Sequence, residues 1–148
     1  IIIVSSAPQI RYPDCYGIDM SQLSKFIAFR ALVELLHDHN KEDLLEETLE
    51  KCLAQQHLPS NKMKNYLIDL YDSFTYEEIS NKIGQMLTPI EYNVEVEIIF
   101  QTIEGLHRSC PNHTGDWYFS GNYPTPGGVK VVNTAFINFM QHNDVRAY

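Results

Sequence analysis

Ile1-Ile2-Ile3-Val4-Ser5-Ser6-Ala7-Pro8 is the stretch on which the reading of the fold turns. Three isoleucines and a valine in a row favour an extended backbone, and an unbroken apolar run marks a strand buried on both faces, as in a parallel sheet. Such a strand needs neighbours on both edges. The chain has one further convincing β stretch, Val94-Glu95-Val96-Glu97-Ile98-Ile99-Phe100, which opens with apolar and acidic residues in alternation. Two strands do not make a doubly covered sheet, so the expectation is the tail of a longer protein, cut inside an α/β domain. The alternative is an extended arm that pairs with another copy.

The 148 residues suffice for one domain. Hydrophobic residues make up 44% and charged residues 20%, which is globular composition and excludes a disordered chain. Eleven Lys and Arg against nineteen Asp and Glu leave a net charge of −8, which repels phosphate backbones and anionic membranes. Neither a nucleic-acid nor a membrane partner is expected. The apolar runs fall far short of a bilayer span, and no basic segment leads into an apolar one. Three widely spaced cysteines, Cys15, Cys52 and Cys110, read as free thiols of a reducing, cytoplasmic setting.

Helices account for most of the remainder. Ser21 is a candidate N-cap for a helix running to about His37. Asn40 is the candidate cap of a second helix, with Leu45, Leu49, Cys52 and Leu53 as its apolar stripe. Met63, Tyr66, Leu67, Leu70, Tyr71 and Phe74 recur at helical spacing. Thr75-Tyr76-Glu77-Glu78 is a capping box opening a helix that buries Ile79, Ile83 and Leu87 and stops before Pro89. A short helix from Thr102 to Cys110 follows the second strand. After a Pro- and Gly-rich loop, Val132, Ala135, Phe136, Phe139 and Met140 mark the last helix.

Chemistry-bearing patterns are sparse. His107, Cys110 and His113 are spaced three apart, but Pro111 interrupts them and only Asp116 offers a further ligand, so no metal site is assigned. No Cys-x-x-Cys, nucleophile elbow or phosphate-binding glycine loop occurs. Trp117, Tyr118, Phe119 and Tyr123 read as aromatics that anchor their loop to the core. Ser5 and Ser6 end a parallel strand, the edge at which open α/β sheets bind ligands.

Ser6-Ala7-Pro8-Gln9-Ile10-Arg11-Tyr12-Pro13-Asp14-Cys15-Tyr16-Gly17-Ile18-Asp19-Met20 resembles the Ser-x-Pro…Arg-(Tyr/Phe)-Pro-x-x-Tyr-Gly-Ile-Asp-Met segment of the glutamine amidophosphoribosyltransferases. Weaker blocks follow in that family's order: Ser24-Lys25-Phe26-Ile27-Ala28, Thr75-Tyr76-Glu77-Glu78-Ile79 with Ile83-Gly84, Thr102-Ile103-Glu104-Gly105-Leu106, and Phe119-Ser120-Gly121-Asn122-Tyr123-Pro124-Thr125. Together they cover about 45 of the 148 residues.

The resemblance implies a parent enzyme whose cysteine-nucleophile glutaminase releases ammonia. A type I phosphoribosyltransferase domain adds that ammonia to phosphoribosyl pyrophosphate, with Mg²⁺, in the first committed step of purine synthesis. This chain would be the C-terminal portion of the second domain, an α/β, helix-rich piece. Its partners would be the upstream glutaminase and phosphoribosyltransferase portions, within a homo-oligomer. The family's phosphate loop is not in these 148 residues, so no catalytic residue and no Mg²⁺ ligand carries over. Ser5, Ser6, Arg11, Tyr16 and Asp19 are expected to flank the substrate pocket.

Some members hold an iron–sulfur cluster through a cysteine before Phe-Tyr-Gly and a later Cys-x-x-Cys-Phe. Those positions are Asp14, Gly115 and Tyr118 here, and Cys15 is one residue out of register, so no cluster is expected. Residues 1–30 and 75–148 would form the family scaffold. Residues 31–74 would be a helical insertion, projecting as a hairpin and presenting Met63, Tyr66, Leu67, Leu70 and Tyr71 to a subunit or domain contact. The alternative reading is a non-catalytic helical interaction or regulatory module that keeps part of the fold.

Overall fold

The structure is a computed structural model, and it describes residues 1–16, 20–91, 94–113 and 115–147. Strands β1 (Ile2–Ser5) and β2 (Glu97–Phe100) pair in parallel, Ile2 opposite Glu97 and Ser5 opposite Phe100. Around them stand α1 (Ile27–Asp38), α2 (Asp43–Ala54), α3 (Tyr66–Tyr71), α4 (Tyr76–Leu87), α5 (Ile103–Ser109), α6 (Trp117–Ser120) and α7 (Pro126–Met140). The described residues thus form a helix-rich α/β arrangement with a two-stranded parallel sheet.

The strand reading holds in pairing and fails in burial. Ile2 and Val4 are 64% and 72% exposed, and Ile99 beside them is half open. The opposite face, with Ile98 and Phe100, packs toward the core. With one neighbour apiece among the described residues, neither strand is covered on both sides.

The core is helical. Phe29, Leu32 and Leu36 of α1, Leu67 and Tyr71 of α3, Ile79 and Ile83 of α4, and Val132 and Phe136 of α7 are fully buried. Each such side chain contributes roughly 1.5–3 kcal/mol by leaving water. Phe29 meets Phe136 and Phe139 edge-on, with ring centroids 6.3 and 4.8 Å away. Gly84 lets α4 touch the entry to β2, since a Cβ there would lie 2.6 Å from the Val96 carbonyl oxygen.

Several local expectations need correction. Ser21 does not cap α1: residues Leu23–Lys25 form a 3₁₀ turn, Phe26 is extended, and the helix starts after it. The buried Ser21 hydroxyl has no hydrogen-bond partner among the described residues. Asn40 ends α1 instead of starting α2. It adopts φ 53°, and the amides of Asn40 and Lys41 return to the carbonyls of His37 and Leu36, a Schellman closure that a short polar side chain tolerates. Glu42 takes the cap position of α2. Leu53 and Leu87 lie at the rims of their stripes and are exposed, while Thr48 is buried in place of Leu53. The Thr75–Glu78 capping box is formed as expected.

Residues 31–74 do not project. Helix α1 packs on α4, and α2 and α3 pack on α7. Tyr71 donates its hydroxyl to the Arg11 carbonyl at 3.2 Å, and the Asn65 side-chain amide donates to the Gly121 carbonyl at 3.1 Å. Of the face expected at a subunit contact, Leu67, Leu70 and Tyr71 are therefore covered from within the chain, while Met63 and Tyr66 are half-buried at its rim.

Candidate functional site

The carboxyl ends of β1 and β2 open onto a mainly apolar cavity of about 340 Å³, lined by Ser5, Pro8, Gln9, Lys25, Phe26 and Phe100 among others. Ser5 is there because it is the last residue of β1, level with Phe100 of β2. Its hydroxyl closes a tight turn, donating to the Ala7 carbonyl at 2.9 Å and accepting the Ala7 amide at 3.2 Å. Ser6 points to solvent and does not line the cavity.

Arg11 stands behind the cavity wall, not in it. Its Nε and Nη2 donate to Gln9 Oε1 at 2.9 and 2.8 Å, and its guanidinium lies 4.8 and 5.0 Å from the ring centres of Tyr71 and Tyr76. The buried Gln9 amide in turn donates to the Tyr76 carbonyl and the Ser80 hydroxyl. Tyr76 donates its hydroxyl to the Gln101 carbonyl at 2.9 Å and accepts the Gln9 amide N–H at 2.8 Å. Burial raises the pKa of Tyr76, so this hydroxyl stays a donor at neutral pH. Arg11 is thus a brace that holds Gln9, and Gln9 forms part of the cavity wall.

Tyr16 lies at the far end of the same loop, exposed, edge-on to Trp117 and 3.3 Å from the Thr125 hydroxyl. It does not line the cavity. Asp19 lies outside the described residues. Of the five expected flanking residues, the structure brings Ser5 to the cavity and Arg11 to its supporting layer. Gln9 and Lys25 were not anticipated. An isolated amide and a lone lysine carry no pattern that would single them out.

A second centre lies where the loop of residues 9–16 meets α6. Asp14 is fully buried. Its Oδ1 accepts the Tyr118 hydroxyl at 2.5 Å, and its Oδ2 accepts the Tyr16 amide at 3.0 Å. The Tyr118 carbonyl accepts the amides of Arg11 and Tyr12 at 2.9 and 3.1 Å, and Tyr123 donates its hydroxyl to the Pro13 carbonyl. Burial, followed by the Asp14 carboxylate, pushes the Tyr118 phenol above its ordinary range. Gly121 ends α6 at φ 75°, where a Cβ would fall 2.8 Å from both the Tyr12 ring and the Asn65 amide, so this close approach requires glycine. The aromatics of the 111–128 loop anchor it, as the sequence suggested.

His107, Cys110, His113 and Asp116 line one small cavity beside α5, with His107 Nε2 3.1 Å from Asp116 Oδ2. Among the described residues no three His, Cys, Asp or Glu side chains converge as a metal-binding group. Cys52 is buried against Asn133, with its thiol pushed up to about 12 by desolvation, which makes it inert. No helix among the described residues is long and apolar enough to cross a membrane.

Comparison with known protein families, with curated proteins and with solved structures finds no match to this chain.

Proposed function

We propose that this chain is the C-terminal portion of the phosphoribosyltransferase domain of a glutamine amidophosphoribosyltransferase, and that it contributes a wall and a brace beside the substrate site, without a catalytic group of its own. In the parent, ammonia displaces pyrophosphate from phosphoribosyl pyrophosphate, with Mg²⁺ held by residues upstream of this segment. The role of the present residues is positional. Gln9, held by Arg11, and Ser5 shape the cavity at the strand ends, and Phe26 and Phe100 exclude water from it.

One observation carries the reading. The resemblance predicts that positions 14, 115 and 118 surround a common point, because in some relatives their side chains would share one cluster. In this chain Asp14 and Tyr118, 104 residues apart, are hydrogen-bonded at 2.5 Å. A chance likeness of short motifs gives no reason for that meeting. The parallel order of β1 and β2, each with one strand neighbour among the described residues, further supports a sheet extended by more strands, and the open apolar face of Ile2, Val4 and Ile99 supports a layer packed on it. Under this reading residues 31–74 are an insertion that has been packed into the scaffold.

The test is amine formation from phosphoribosyl pyrophosphate, Mg²⁺ and free ammonia, with the full-length protein and the 148-residue chain measured side by side. Turnover by the full-length protein alone is expected. Absence of turnover in both removes the reading, and turnover by the short chain overturns the statement that it holds no catalytic group.

A further inference from the structure

Where the resembling family places cluster cysteines, this chain has Asp14, Gly115 and Tyr118, and its donor set does not fit a cluster. Asp14 offers a carboxylate already engaged by a phenol and an amide. Gly115 offers no donor, and a Cβ added there would lie 3.1 Å from the Trp117 ring. Cys15 supplies a single thiol, half-buried, whose pKa is raised by desolvation and thus moved away from the thiolate that iron requires. Four thiolates are needed.

The same residues do something else. The loop of residues 9–16 and the segment 116–123 touch through the Tyr118 carbonyl, which accepts two backbone amides, and through the Tyr118 hydroxyl, which donates to a carboxylate with no solvent exposure. Tyr123 and Asn65 add further bonds on either side. A phenol donating to a buried carboxylate at this length belongs to the stronger hydrogen bonds of proteins. It ties together two segments that share no strand or helix.

We propose that Asp14 and Tyr118 form a metal-free clasp that fixes the loop of residues 9–16 to α6, taking the cross-linking place that the resemblance gives to an iron–sulfur cluster. Only the assignment of that place rests on the phosphoribosyltransferase reading; the clasp itself rests on the hydrogen bonds. Tyr118 is a positioning residue, acting through Asp14 and through the amides of Arg11 and Tyr12 on the segment that leads to Gln9 and the cavity.

Hydrogen exchange of the full-length protein tests the clasp without any activity assay. Tyr118→Phe, which removes one oxygen and keeps the ring, should speed exchange at the Arg11 and Tyr12 amides on the order of tenfold, the loss expected for one hydrogen bond to a charged group. Segment 116–123 should loosen with them, while α1 and α4 stay unchanged. Asp14→Asn should act in the same direction. The double variant should exchange no faster than the more affected of the two singles, because Tyr118→Phe removes and Asp14→Asn weakens the same interaction. If Tyr118→Phe does not fold, Asp14→Asn, which leaves the phenol and the packing in place, carries the comparison. Exchange in the single variants within about twofold of the wild type, or single effects that multiply in the double variant, would overturn the clasp. Stoichiometric iron and acid-labile sulfide in full-length protein purified without oxygen would overturn its metal-free character. Failure of ammonia-dependent turnover would remove the functional reading and leave the exchange result standing.

Discussion

The helical core and the strand pair use apolar residues in opposite ways. In α1, α3, α4 and α7 the apolar stripe is satisfied inside the chain, and Phe29, Leu32, Leu67 and Phe136 have almost no exposure. In β1 the most apolar run of the whole sequence lies largely open, and β2 adds Ile99 to the same face. A helix buries one stripe against one neighbour. A parallel strand needs a bonded neighbour on each edge and a layer on each face, and two strands supply one shared edge. Among the described residues the helical stripes are covered, and the two-stranded sheet keeps one face open.

The largest effect should come from the helical side. Phe136→Ala removes a ring that sits against Phe29 and should cost about 3–5 kcal/mol in urea denaturation. A cost below about 1 kcal/mol would mean that the helices are not the stable half. Arg11→Ala removes two hydrogen bonds to Gln9 and the contacts with two tyrosine rings, and should cost about 2 kcal/mol. Thermal denaturation reads that loss directly. Thr75→Ala strips the capping box of α4 and should cost about 1 kcal/mol by the same measurement.

A smaller effect should follow from the ion pair of Lys82 with Asp38, 2.7 Å long, which ties α4 to α1. The Lys82 hydrogen bond lowers the pKa of Asp38 from 3.8, so that contribution is present above 3.8 and is lost as pH falls through the lowered value. The bond to Asp38 raises the pKa of Lys82 from 10.5, so its contribution is full below 10.5 and is lost as pH rises through the raised value. Lys82→Met should therefore lower Tm slightly at pH 7 and leave it unchanged in strong acid, where the pair is already broken. Least of all, Ile2→Thr should change the stability of the 148-residue chain by less than about 0.5 kcal/mol, because Ile2 is already exposed. If the longer protein proposed above packs a layer on this face, the same substitution there should cost about 1–3 kcal/mol, which sharpens the contrast between the two regions. Equal, small effects in both settings would show that β1 remains open there too.

Legibility tracked the range of the interaction. The capping box, the break at Pro89 and the two strand-forming runs were readable because each is written in a few adjacent residues or in one apolar run. Asn40 misled because its side chain suits either end of a helix, and only the path of the chain after His39 selects the left-handed closure. Arg11 is expected beside the substrate pocket, and Gln9, Tyr71 and Tyr76 instead hold it as a brace behind the wall, a choice made by residues up to 65 positions away.

What the sequence by itself determined is the longer helices and most of their apolar stripes, though not the short α6 within the 111–128 loop, together with the tendency of residues 1–5 to extend and the excess negative charge. These follow from propensities and from a period of two or 3.6 residues, which act within a turn or a strand. The tertiary structure alone decided that α1 packs on α4 and α2 and α3 on α7, that β1 keeps an open face, and that Asp14 meets Tyr118. Those outcomes depend on which surfaces reach one another first and fit, and a buried carboxylate takes its meaning from a phenol 104 residues away that no local pattern announces.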